Sequence, residues 1–309
     1  MSTPAEILEG GMEIQKSIER ALKKNKGLLV GRFGTVEFEG IWWTMMIPDA
    51  AWPERQRMVL ERNAGIFPSD MNSVRGWATE YCAAIRASDI LAVGWHAPIV
   101  KAENELLFRL NWKGKKVVLR SLEPYYLEKE NRWSSVLKDE HLCVVTSFAE
   151  SAAAQVRKGE EVIWRNSAGS LWPNKISFVK TGYAPSLAQG RAGWEESPES
   201  WKEAIDYVVA EVLKTGARVV FIGCGGIGMS IGARLKEAGK ICVVMGGATQ
   251  VLFGIKGNRW EKHPVISGFW GDSWVWPSVE ETPLGAGKVE EGCYWGDGRN
   301  GGDGNAKRT

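Results

Sequence analysis

The stretch VVFIGCGGIGMSIGARLKEAGKICVVMGG, residues 219–247, decides the fold class: it reads as a strand, a glycine turn, a helix and a second strand. Gly223, Gly225 and Gly228, with Gly226 inside the turn, spell G-x-G-x-x-G in the right context. Such a turn lets backbone N–H groups at a helix N-terminus approach a phosphate. The other reading of these glycines is close packing of the helix on its strand. A dinucleotide site would also place an acidic residue at the end of the second strand to hold ribose hydroxyls. Here that strand ends Val244, Met245, Gly246, Gly247. NAD and FAD are therefore not expected, and an S-adenosylmethionine reading is weakened for the same reason.

Working outward, apolar runs recur at 28–33, 90–95, 116–121 and 142–148 as well as at 219–224 and 241–247. They are near-continuous Val/Ile/Leu runs, as in strands covered on both faces. Helical stretches at 72–87, 101–111, 150–158, 200–214 and 228–238 alternate with them, after an amphipathic helix over 5–25 that carries Ile7, Leu8, Met12, Ile14, Ile18 and Leu22. Alternation of this kind predicts an α/β fold, a Rossmann-like, mostly parallel doubly wound sheet. Residues 161–195 break the pattern and are expected as an irregular insertion able to cover a site. A single domain over 1–295 follows, with a glycine-rich tail at 296–309 expected to be disordered.

With 39 basic and 37 acidic residues interspersed, and a formal net charge of +2, there is no broad field to hold a polyanion. Nucleic acid is not an expected partner. Five cysteines with no C-x-x-C pair fit a reduced, cytoplasmic setting. MSTPAEILEGG lacks the basic and apolar regions of a secretory leader, and no apolar run reaches a bilayer's thickness. Sixteen tryptophans are read chiefly as core.

Two further segments carry chemistry. GGATQVLFGIKGNRW adds Gly246, Gly247, Gln250, Lys256 and Arg259, cations and an amide beside the first turn, suited to a diphosphate or carboxylate, or else an ordinary solvated surface. LLVGRFGTVEFEG is another strand and glycine turn, with Arg32 at the strand end and Gly34, Thr35 and Glu37 where a helix begins. Ligands of open α/β sheets bind outside the carboxyl ends of the strands, so the two turns are expected to face one crevice. The plain alternatives are Thr35 as N-cap and Glu37 as a first-turn carboxylate favoured by the helix dipole. Ser147 and Glu150 read as a capping box, His96 as a strand-end donor and Asp272 as a turn residue among aromatics. No Ser-His-Asp order, Walker A motif or H-E-x-x-H helix is present.

GRFGTVE (31–37), IGCGGIGMSIGARLKEAGK (222–240), MGGATQVLFGIKGNRW (245–260) and ETPLGAGKVEEGCYW (281–295) together resemble the GT-D fold glycosyltransferase group, formerly a domain of unknown function. The resemblance implies transfer of a sugar from a nucleotide-sugar donor to a hydroxyl acceptor, a glycan or glycoconjugate. In that group an R-F-G-D-G-E turn supplies acids that take part in metal and donor binding. Arg32, Phe33, Gly34 and Glu37 match it, whereas Thr35 stands in place of the aspartate and Val36 in place of the glycine. Glu37 is then the expected metal ligand or base, with Arg32 beside it, and the cofactor a divalent cation, Mn or Mg. A lone carboxylate leaves most of such an ion's shell to phosphates and water. The alternative is a noncatalytic nucleotide or sugar-nucleotide binding protein that kept the crevice and lost the acid pair.

Overall fold

The computed structural model describes residues 2–47, 52–94 and 96–296. The tail expected to be disordered lies, from residue 297 on, outside the described residues. In chain order the elements are α1 (Pro4–Lys24), β1 (Leu28–Arg32), α2 (Thr35–Met46), α3 (Glu54–Ala64), α4 (Met71–Ala87), β2 (Ile90–Ala92), α5 (Val100–Arg109) and β3 (Lys115–Val117). Then follow β4 (His141–Thr146), α6 (Ala149–Lys158), α7 (Glu160–Trp164), β5 (Lys175–Lys180), α8 (Pro185–Ala188), α9 (Trp201–Lys214), β6 (Val219–Gly223), α10 (Gly228–Glu237), β7 (Ile241–Val244) and α11 (Ala248–Leu252).

The seven strands form one sheet in the order β3-β2-β1-β7-β6-β4-β5, every pair parallel. From β1 the chain moves outward to β2 and β3, and the second half returns so that β7 closes against β1, pairing Leu28 with Ile241 and Val30 with Val243. The β1/β7 seam is thus the switch point of a Rossmann-like doubly wound sheet, where a crevice opens at the strands' carboxyl ends.

Alternate strand residues face opposite cores. Leu29, Val220, Ile222, Cys242 and Val244 join α4, α9 and α10 on one side. Val30, Val219, Phe221, Ile241 and Val243 join α1 and the C-terminal segment on the other. Both sets are buried, which is why the strands read as unbroken apolar runs. Helix α10 lies close on the seam because its glycines leave room: a Cβ at position 232 would stand 2.6 Å from Leu29 Cδ1, and one at 228 would stand 3.2 Å from Val244.

Two expectations change. The stretch 161–195 is not simply an irregular insertion, since it supplies helix α7 and the edge strand β5, whose Lys175–Lys180 pairs residue for residue with His141–Thr146. Open to solvent along one flank, β5 carries Lys175, Ser177 and Lys180 instead of a Val/Ile run. In α1, Met12 is 44% exposed; the buried stripe runs Ile7, Gly10, Gly11, Ile14, Ile18 and Ala21. A Cβ on Gly10 would collide with the Ser121 side chain, so glycine holds a position the apolar pattern gave to its neighbour. Among the described residues no helix is long and apolar enough to cross a membrane.

Candidate functional site

The turns after β1, β4, β5, β6 and β7 surround a cleft of about 380 Å³. The expectation that the 32–37 and 223–228 turns face one crevice holds for Arg32, Gly34, Thr35 and Glu37 on one side and for Gly223 and Gly225 on the other. Gly246, Gly247, Gln250 and Arg259 complete the seam wall.

The β1 turn is built around its glycine. Gly34 is the N-cap of α2, with extended backbone at φ −87°, and Thr35 is the first helical residue. Thr35 is therefore not the cap its hydroxyl suggested. Glu37, in the third helical position, folds its carboxylate back over Gly34, where a Cβ would collide with Oε2. Burial raises the Glu37 pKa above the ordinary carboxylate value, and the Glu290 charge adds to that; the neighbouring backbone N–H groups of Glu37 and Gly34 and the Arg32 guanidinium oppose it. Arg32 reaches across the seam, its Nη1 lying 3.9 Å from where a Cβ on Gly246 would sit.

Behind the β7 turn, Arg259 is already engaged. Nη2 donates to Glu290 Oε2 at 2.8 Å, Nη1 to the Tyr294 hydroxyl at 3.0 Å, and the guanidinium lies 4.9 Å from the Tyr294 ring centroid. Burial and these partners raise the Tyr294 and Arg259 pKa values respectively, Arg259 against its own desolvation. Lys256 is elsewhere: its ammonium packs 5.4 Å from the Trp270 ring, outside the cleft lining. The loop that carries it turns away because its N–H bonds to Val275 O at 2.7 Å.

The β6 turn divides between the two readings of its glycines. Gly225, at φ +63°, and Gly223 line the cleft. Gly226 and Gly228 do not. The Gly226 carbonyl accepts from Trp77 Nε1 at 2.9 Å, and Gly228 is buried against Val244 and Ile222. For these two, close packing is the role. Cys224 also lines the cleft, and burial pushes its thiol far above the ordinary range, against any thiolate chemistry.

On the β4 and β5 side, Ser147 Oγ lies 2.7 Å from the Tyr183 hydroxyl, and both residues line the cleft. The capping box expected of Ser147 and Glu150 is absent, because Phe148 holds the N-cap of α6 without a side-chain bond. The cap comes instead from Glu281, whose Oε1 accepts from Glu150 N at 2.9 Å and Ser151 N at 3.0 Å. Glu150 pairs with Lys180 at 2.7 Å. His96 does line the cleft, whereas Asp272 is fully exposed, paired with Arg165 at 3.3 Å and outside it. Tyr81, Tyr183, Glu290 and Tyr294 also line the cleft, though no motif in the chain marks them. Tyr81 sits in an ordinary helical stripe. The 281–295 segment shows no periodic pattern, so nothing local marks its residues as cleft-facing.

Among the described residues no group of three or more His, Cys, Asp or Glu side chains is arranged to hold a metal ion. The cleft's carboxylates are Glu37 and Glu290, the latter paired with Arg259. This donor set does not by itself make a divalent-cation centre.

Comparison with protein-family models, with curated proteins and with solved structures returned no match.

Proposed function

We propose that the cleft binds a nucleotide-sugar and transfers the sugar to a hydroxyl acceptor. The observation that supports this reading is the meeting, at one switch-point crevice, of a guanidinium, a carboxyl with raised pKa and two glycine turns. Arg32, with Arg259 once Glu290 yields it, would neutralise the diphosphate as its bond to the anomeric carbon breaks. Backbone N–H groups around Gly223 and Gly225 would add to this. The acceptor O–H attacks that carbon, and its proton passes to Glu37, a better base for being partly desolvated. No step is routed through a cation, because the cleft's donor set does not make a centre for one.

Glu37→Gln is expected to abolish transfer and donor hydrolysis while nucleotide binding persists. Unchanged turnover would remove Glu37 from the mechanism. A second reading, a noncatalytic sugar-nucleotide binder, is favoured by Thr35 lining the cleft where the resembled motif carries an acid. Calorimetry with UDP, GDP and UDP-sugars, with and without manganese, followed by long incubation, separates the two: binding with no turnover selects the binder.

A further inference from the structure

Two buried polar atoms at the head of the cleft have no partner. Thr249 and Gln250 are 1% and 2% exposed, both line the cleft, and Thr249 Oγ1 and Gln250 Oε1 accept and donate no hydrogen bond. The Gln250 amide cannot be turned to cure this. Its Nε2 donates to Lys256 O at 2.7 Å and to Tyr294 O at 2.8 Å, so exchanging the two ends would set Oε1 against two carbonyl oxygens. Oε1 is thus a fixed acceptor awaiting a donor. Thr249 Oγ1 is packed against β6 at Gly223, where a Cβ would stand 2.7 Å from it, so glycine at 223 is what leaves the hydroxyl its place beside the cleft. The Tyr294 ring lies over Gly247, one turn before Gln250, and Phe148 and Trp295 line the same cleft. Buried polar groups are normally satisfied, and leaving one unpaired is costly, so a pair of them beside one apolar wall is a binding feature.

We propose that Thr249 and Gln250 are the specificity-determining residues of the cleft, reading a hydrogen-bond donor of the nucleotide, either a ring N–H of the base or the ribose 2′ O–H. This rests on the nucleotide reading above. It assigns the recognition of the uncharged part of the ligand to the β7 turn, with the arginines left to the phosphates.

The test uses the full chain, UDP and GDP, and for each its ring-N-methylated and 2′-deoxy analogues. Thr249→Val keeps the shape and removes an unpartnered hydroxyl. It should raise Tm by roughly 2 °C and weaken diphosphate binding roughly tenfold. A purely structural threonine would not move the two in opposite directions. One analogue should lose a similar factor on the unmodified protein, where no fold is perturbed: the methylated one if the base is read, the deoxy one if the ribose is read. Wild-type affinity for both analogues, or a Thr249→Val protein that loses Tm and binding together, overturns the inference while nucleotide binding stands. If neither diphosphate binds the unmodified protein, the nucleotide reading falls and this inference with it.

Discussion

Glu281 offers a measurement that weighs a single buried carboxylate. It is 0% exposed, yet its side chain holds the start of α6 from the far end of the chain. Oε1 accepts from Glu150 N and Ser151 N at 2.9 and 3.0 Å; Oε2 accepts from Ser151 Oγ and, at 3.3 Å, from Ser278 N. Glu281→Gln keeps the volume and can keep Oε1 on the two helix N–H groups, but it removes the charge. Each bond to a charged acceptor exceeds a neutral one by about 1 kcal/mol, and the new NH₂ leaves Ser278 N–H unpaired at about 1 kcal/mol more. The expected loss is therefore about 3 kcal/mol for Glu281→Gln. Glu281→Ala strands all the donors and opens a cavity, on the order of 5 kcal/mol. With an unfolding entropy of about 2.1 cal/mol/K per residue, these losses lower Tm by about 5 and 8 °C. Calorimetric melts at low and high salt would check both values, and the shifts should barely change with salt because the bonds are out of water. A Glu281→Gln protein melting within a degree of the unmodified one would refute the cap. Equal losses in Gln and Ala would show that the charge carries the whole effect and that volume adds nothing.

Gly34→Ala would drive the Glu37 carboxylate out of its fold over position 34 and should cut turnover as far as Glu37→Gln does, at a stability cost of about 1 kcal/mol; full turnover would show that this placement is irrelevant. Glu290→Gln frees Arg259 and removes a like charge from Glu37, so diphosphate affinity by calorimetry should rise roughly two- to fivefold at low salt, and unchanged affinity would mean that Glu290 does not compete. Because burial holds the folded-state pKa of Glu37 above its ordinary 4.5, the folded protein binds that proton more tightly than the unfolded chain does. This contribution is present below 4.5 and is lost as pH rises through the folded value; thermal melts across that window should fall less steeply for Glu37→Gln, and superimposable slopes would contradict the buried placement.

Six of the seven strands were legible in the chain, because burial on both faces fills the middle of each central strand with apolar residues, and such runs cannot be confused with half-exposed strands. The sequence by itself also located two glycine turns, since a close approach or a φ of +63° at Gly225 excludes most other residues. It could not separate glycines that face a ligand from those that admit a helix. Gly225 and Gly228 look alike in the chain, and only the packing of Val244 and Ile222 against position 228 tells them apart. Edge strand β5 was hidden because one open flank relaxes the demand for apolar residues. The C-terminal wall of the cleft was hidden for a different reason. Glu281 caps a helix about 130 residues earlier in the chain, and Arg259 meets Glu290 and Tyr294 across loops. Such pairings carry no local periodicity. They exist once the β1/β7 seam has closed and brought distant turns to one end of the sheet, which is a decision of the tertiary structure alone.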